Sequence, residues 1–155
     1  MSEFSHLDDE GHVRMVDVGS KAVTERVAVA EAHLIMERAT RQALFTGELP
    51  KGDALAVARV AAIMGAKRTA DLVPLCHPLE VTGVEVSVEP TEAGARVEVL
   101  VRTRGRTGVE MEAITGASLG AIALYDMIKT RDRAAEVAKV RLLSKTGGKS
   151  GDWSR

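Results

Sequence analysis

Two residues in the run Leu124-Tyr125-Asp126-Met127-Ile128-Lys129 can do chemistry together: Asp126 and Lys129 stand three positions apart among apolar neighbours. On a helix that spacing is one turn, so a carboxylate and an ammonium share one side. Burial beside Leu124, Met127 and Ile128 would push the Asp126 carboxyl up, and the cation would pull it down. A carboxylate or lysine brought near neutrality is suited to proton transfer. The plainer alternative is that Asp126 only orients Lys129.

A second stretch of chemical interest is Lys67 to Pro78, KRTADLVPLCHP, which puts the only cysteine beside a histidine between two prolines. Pro74 and Pro78 each disfavour helix in the residue before them, so Leu75, Cys76 and His77 are expected to be extended, with backbone groups open to a ligand. Read structurally, the same stretch is a helix end, a loop and a strand entry, with Cys76 a small buried hydrophobe. Cations stand elsewhere along the chain, at Lys51 in a Pro-Lys-Gly-Asp turn, at Lys67, and at Lys145 and Lys149 near the end. The GKS at 148–150 is not a nucleotide-binding P-loop, because the earlier glycine would fall at Leu143 and no helix can follow. Thr103 to Gly108, TRGRTG, is a basic connector before a helix, a weak anion-binding signal.

Elements must hold these groups. Glu25 to Leu34 alternates with period two and predicts a strand. Met36 to Phe45 has helical spacing, with Gly47 placed for a left-handed C-cap. Asp53 is a good N-cap for a long helix over Ala54 to Leu72, along which Lys67 can meet Asp71 one turn on. Val84 to Val88 and Val97 to Val101 alternate and are joined through Pro90 to Gly94 as a hairpin. Val109 to Lys129 is a second long helix with a small-residue face at Ala113, Gly116, Ala117, Gly120 and Ala121, which lets another helix come close. Val140 to Ser144 predicts a last strand. Glu112, Thr115, Leu119, Ile122, Asp126 and Lys129 lie along one side of the second helix, with Glu112 and Asp126 about 21 Å apart along its axis.

Both long helices are apolar on more than one face, which in 155 residues predicts burial against another subunit. The chain suits a single domain over 1–155, with mobile arms at about 1–14 and 146–155, and Arg14 to Val18 is an apolar island expected to dock. Hydrophobic residues make up 45% and charged residues 28%, which excludes disorder and favours a folded soluble protein. A net charge of -1 and 3% aromatics leave no footprint for nucleic acid. One cysteine excludes an internal disulfide framework and a CxxC metal site, so no metal ligands are assigned. The N-terminal stretch is polar and acidic, unlike an export signal, and a cytoplasmic location without a membrane partner is expected.

Five blocks, RMVDVGSK, KGDALAVARVAAIMGAKRTADLVPLCHPLEVTGVEV, TGVEMEAITGAS, LYDMIK and VRLLSKTGGKSGDW, resemble in order and spacing the cyclic pyranopterin monophosphate synthase family, the C protein of molybdenum cofactor biosynthesis. The resemblance runs from about Phe4 to Trp153 and implies an α+β, ferredoxin-like fold, an antiparallel sheet packed against two long apolar helices. It implies a lyase that converts 3',8-cyclo-7,8-dihydroguanosine 5'-triphosphate to cyclic pyranopterin monophosphate and diphosphate, in a hexamer of three dimers with sites between subunits. Carried onto this chain, the general acid/base is Asp126, with Lys129 one turn on, and Lys51, counted with these catalytic candidates, matches with Lys67 the lysines that line the pocket. Leu75, Cys76, His77, Met111 and Glu112 match substrate-binding positions, and the chemistry asks for cations beside the leaving diphosphate, which Lys51, Lys67, Lys145 and Lys149 can supply. No cofactor is implied, though Mg2+ can accompany the triphosphate. Glu80 and Gly116 depart mildly from the family pattern, the first making the rim more acidic and the second lowering helix propensity. A non-catalytic ligand-binding module and a pure assembly protein are the competing classes. Neither needs a costly acid on an apolar helix.

Overall fold

The computed structural model describes residues 6–155. The order is β1 (Thr24–Ile35), α1 (Arg38–Thr46), α2 (Ala54–Lys67), α3 (Thr69–Leu72), β2 (Val81–Thr91), β3 (Gly94–Gly105), α4 (Glu110–Ile128), β4 (Glu136–Thr146) and β5 (Trp153–Ser154). Five strands form one antiparallel sheet in the order β2-β3-β1-β4-β5. With β5 set aside, this is the split βαβ topology doubled, the ferredoxin-like α+β arrangement expected above.

The period of two in β1 sends Ala28, Ala30, Ala32 and Leu34 to the face under the helices, all buried. From β3 come Val97, Val99 and Val101, and from the helices Ala58, Ala62, Ala66, Ala113, Ala117, Ala121, Leu124 and Ile128. So many alanines allow α2 and α4 to lie close to each other and to the sheet. Gly116 and Gly120 bring them closer still: a Cβ at Gly120 would stand 2.8 Å from Val97 Cγ1 and 3.3 Å from Ala62 Cβ. On the far face of the sheet Glu31 is buried yet paired, with Arg141 nitrogens at 2.7 and 2.8 Å.

The expected long helix over Ala54 to Leu72 is in fact two. Arg68 leaves helical geometry at φ -113°, ψ 15°, and its N–H is shared between the Met64 and Gly65 carbonyls. Buried Thr69 explains the break, because its hydroxyl lies 3.1 Å from both the Gly65 and Ala66 oxygens and competes for the helix ladder. Asp71 accordingly meets Arg68 at 3.4 Å rather than Lys67. Asp53 does cap α2, accepting from the Ala56 N–H, and Gly47 ends α1 in the left-handed region at φ 76°. The β2–β3 turn is tighter than expected. Pro90 and Thr91 belong to β2, where an edge position asks no donor of the proline.

A second correction concerns Leu75. Val73 is extended, as the following proline requires, but the Cys76 N–H donates to the Val73 carbonyl at 3.0 Å. Val73 to Cys76 is therefore a β-turn with Pro74 at its second position, where its fixed φ is favourable. The Cys76 amide is consumed by the turn and is not offered to a ligand.

At the termini, Leu7 bridges Val13, and β5 pairs with β4 through Ser144↔Ser154 and Lys145↔Trp153. The tail thus returns along β4, through a turn closed by the Gly147 N–H on Asp152. Residues 1–5 of the expected N-terminal arm lie outside the described residues.

Candidate active site

α4 carries candidate groups at both ends. At its C-terminal end Asp126 Oδ1 lies 2.6 Å from Lys129 Nζ, the turn-spaced pair anticipated from sequence. Lys51 arrives from the loop between α1 and α2. Its ammonium donates to the Asp126 carbonyl at 2.7 Å and lies 3.3 Å from Oδ2. That carbonyl is among the last four of the helix, which lack an intrahelical donor, so one lysine satisfies a free helix end and a carboxylate together.

The electrostatics differ from the sequence expectation. Asp126 is 56% exposed, so burial does not compete, and hydrogen bonds from Lys129 and then Lys51 hold its carboxyl below the usual range. Lys129 is pushed the other way by the same contact. At neutral pH the pair is a carboxylate gripped by two ammonium groups. Both shifts run away from neutrality, so in the resting protein Asp126 is a weaker proton acceptor, and Lys129 a weaker donor, than the expected near-neutral pair. A cleft of about 250 Å³ lined by Tyr125, Lys129, Thr130 and Arg133 opens beside it.

The N-terminal end of α4 holds a different set. Glu112 is buried in the first turn, and the Cys76 thiol reaches its Oε1 at 3.5 Å. Burial pushes Glu112 up, and burial followed by the Glu112 charge pushes the Cys76 thiol to about 11. Glu112 Oε2 has no hydrogen-bond partner among the described residues. A cleft of about 110 Å³ joins Glu112 to Lys67, Pro78 and Leu79, so the lysine and the buried acid face one space. Met111, next to Glu112, is 39% exposed. His77 Nε2 is 2.7 Å from the Val16 carbonyl, which docks the apolar island of the N-terminal segment onto the His-Pro loop. Lys145 on β4 approaches Glu110 Oε1 at 3.7 Å and contacts Ser150 Oγ.

Lys51, Asp126 and Lys129 therefore converge; so do Cys76, Glu112 and Lys67, with His77 adjoining in sequence. The two groups stand at opposite ends of α4, about 21 Å apart by helix rise. One protomer does not join them. Sequence reasoning passed over Glu110 as the partner of Lys145; the first glutamate of the Glu-Met-Glu run was the available signal, since residues two apart on a helix face different ways. It also passed over the Val16 carbonyl, which no side-chain pattern could reveal. A roomier cleft of about 510 Å³ between α1 and the β2–β3 turn, lined by Arg38, Phe45 and Pro90 among others, lies away from all of these groups. Among the described residues no cluster of three or more His, Cys, Asp or Glu side chains is placed to hold a metal ion. No helix described is long and apolar enough to cross a membrane.

Comparison with known proteins adds to this geometry. The MoaC family matches residues 15–148. A cyclic pyranopterin monophosphate synthase of Chloroflexus aurantiacus is 51% identical over 99% of this chain and 96% of its own length. Proteins of that name are 53% identical in Corynebacterium efficiens, over 99% of both chains, and 54% identical in Herpetosiphon aurantiacus, over 96% of this chain and 92% of the relative.

Proposed function

This chain belongs to the MoaC family, and on that premise we propose that it is a cyclic pyranopterin monophosphate synthase. The substrate is 3',8-cyclo-7,8-dihydroguanosine 5'-triphosphate, and the products are cyclic pyranopterin monophosphate and diphosphate. The reaction rearranges a cyclised purine nucleotide, which requires proton transfers at ring nitrogens, and closes a cyclic phosphate as the bond to diphosphate breaks. The observation that carries the reading is the exposed Asp126 carboxylate held between Lys129 and Lys51. In this reading Asp126 accepts a proton from the substrate, Lys129 returns one, and Lys51 holds both the carboxylate and the developing anion.

Lys67 and Lys145 neutralise charge on the phosphates, while Leu75, Cys76, His77, Met111 and Glu112 bind the pterin-forming end. Burial raises Glu112, and in its protonated form it can donate a hydrogen bond to a ring acceptor. No resident cofactor is required in this scheme; Mg2+ accompanies the triphosphate where it is present. We place the enzyme in the cytoplasm as a homohexamer, a trimer of dimers. Support for assembly comes from Val57, Val60 and Met64 on α2 and Ile122 on α4, which are exposed in the single chain at 43 to 56%. The direct test is to incubate the protein with the cyclised triphosphate and follow diphosphate and the fluorescent oxidised pterin. Binding without diphosphate release would identify a ligand-binding module instead.

A further inference from the structure

Asp132 is a carboxylate buried to 4% exposure that lies outside both groups described above. It sits in the segment between α4 and β4, just beyond Lys129. Its Oδ2 accepts a hydrogen bond from the Glu37 N–H at 2.8 Å. Glu37 is the N-cap residue of α1 and makes no side-chain cap of its own, so Asp132 supplies from a distant part of the chain the acceptor that the helix start needs.

This bond joins the turn that carries Lys129 to the start of the helix whose far end leads to Lys51. On one side, the Arg131 and Asp132 amides both donate to the Ile128 carbonyl, and the Tyr125 hydroxyl donates to the Arg133 carbonyl at 3.2 Å, so the turn containing Lys129 is folded against the end of α4. On the other side, α1 follows Glu37 and carries buried Ala43 and Leu44; past its C-cap at Gly47 the chain reaches Leu49, also buried, and Lys51 two residues later. Lys129 and Lys51 hold opposite oxygens of the Asp126 carboxylate. Each is a long, flexible side chain on an exposed segment, and neither contact would fix its backbone.

We propose that Asp132 is a positioning residue for the Lys51–Asp126–Lys129 group: it fastens the turn after α4 to the start of α1 and so sets where both lysines stand relative to the carboxylate. Its catalytic consequence rests on the reading of Asp126 as the proton-transfer group; its geometric consequence does not. A buried carboxylate bound to an amide is a rigid, charge-assisted tie, whereas the surface ion pairs it organises are soft.

The test uses the full assembled chain labelled with carboxyl-13C aspartate. In Asp132→Ala the titration midpoint of Asp126 should rise toward the ordinary carboxylate range, because the lysines that depress it no longer hold their places. In the same variant kcat should fall on the order of tenfold to a hundredfold, as for a misplacement of about an ångström, with KM little changed. Asp132→Asn keeps an oxygen for the Glu37 amide and should restore both. Should Asp132→Ala fail to assemble, Asp132→Ser, too short to reach the amide, is read in the same way. An unmoved Asp126 midpoint, or an asparagine variant as impaired as the alanine one, overturns the proposal. A raised midpoint with unchanged kcat upholds the positioning role and instead removes Asp126 from the chemistry.

Discussion

Asp126 and Glu112, near the two ends of α4, face opposite environments, and their behaviour with pH separates accordingly. Asp126 is exposed and gripped by lysines, so its folded pKa lies below its ordinary value of 3.8. A lowered carboxylate contributes stability above that value and loses it as pH falls through the folded pKa, so Asp126 stays ionised throughout the neutral range. Asp126→Asn keeps the shape and removes the titratable carboxylate. We expect an assembled protein that binds the triphosphate but releases diphosphate slower by on the order of a hundredfold to ten-thousandfold. Near-normal turnover in that variant, with turnover lost in Lys129→Ala, would assign Asp126 to orienting the lysine alone. Glu112 has the opposite sign. Burial raises it above 4.5, so the folded state holds its proton more tightly than the unfolded chain, and stability falls as pH rises from that value through the folded pKa. Glu112→Gln mimics the neutral acid and should flatten this dependence: relative to the parent, the variant gains in Tm between pH 5 and pH 8. An unchanged difference between the two pH values would show that the fold does not raise the Glu112 pKa.

At the scale of elements, the close approach of α4 to α2 and β3 depends on two glycines. A methyl at Gly120 would press on Val97 Cγ1, a stiff β-branched side chain in the core, as well as on Ala62. Gly120→Ala gains up to about 1 kcal/mol of helix propensity, yet overpacking a tight core costs about 1–3 kcal/mol, so the variant should be less stable by about 1 kcal/mol. Denaturant titration checks this, and a stabilised variant would mean that α4 can shift away from the sheet. This packing was legible in advance, because small residues spaced three and four apart have few other uses on an apolar helix. Strand β1 was equally legible, its alternation matching the buried alanines almost residue for residue. What escaped was local competition. Thr69 broke the long helix through a hydroxyl that a periodicity argument counts as neutral, and Pro74 made a turn where the two prolines together implied extension. The exposure of Asp126 escaped too, since apolar neighbours in sequence, Met127 and Ile128, point to the core while Asp126 itself points away. Asp132 could not have been found, because its partner is a backbone amide 95 residues distant.

For the molecule as a whole, the length of α4 is the constraint that matters. Asp126 and Glu112 are fixed at its two ends, and a substrate the size of a nucleotide triphosphate cannot have its reacting ring touched by both ends of one helix. If both groups serve one reaction, a second protomer must bring its Glu112 end to the first protomer's Asp126 end. The exposed valines and methionine of α2 give such a contact an apolar driving force. Sedimentation should therefore show no stable folded monomer at micromolar concentration. A sharper test mixes defects: Asp126→Asn and His77→Ala chains, each impaired alone, are co-expressed with different tags and purified through both. When each centre takes its Asp126 end from one chain and its His77 end from another, random mixing leaves about one centre in four intact, and about a quarter of parental activity returns. When each centre is built within one chain, every centre in the mixed assembly carries a defect and no activity returns. The second result, in an assembly shown to contain both tags, would mean that a single chain supplies both ends of each centre and would overturn the shared-site reading.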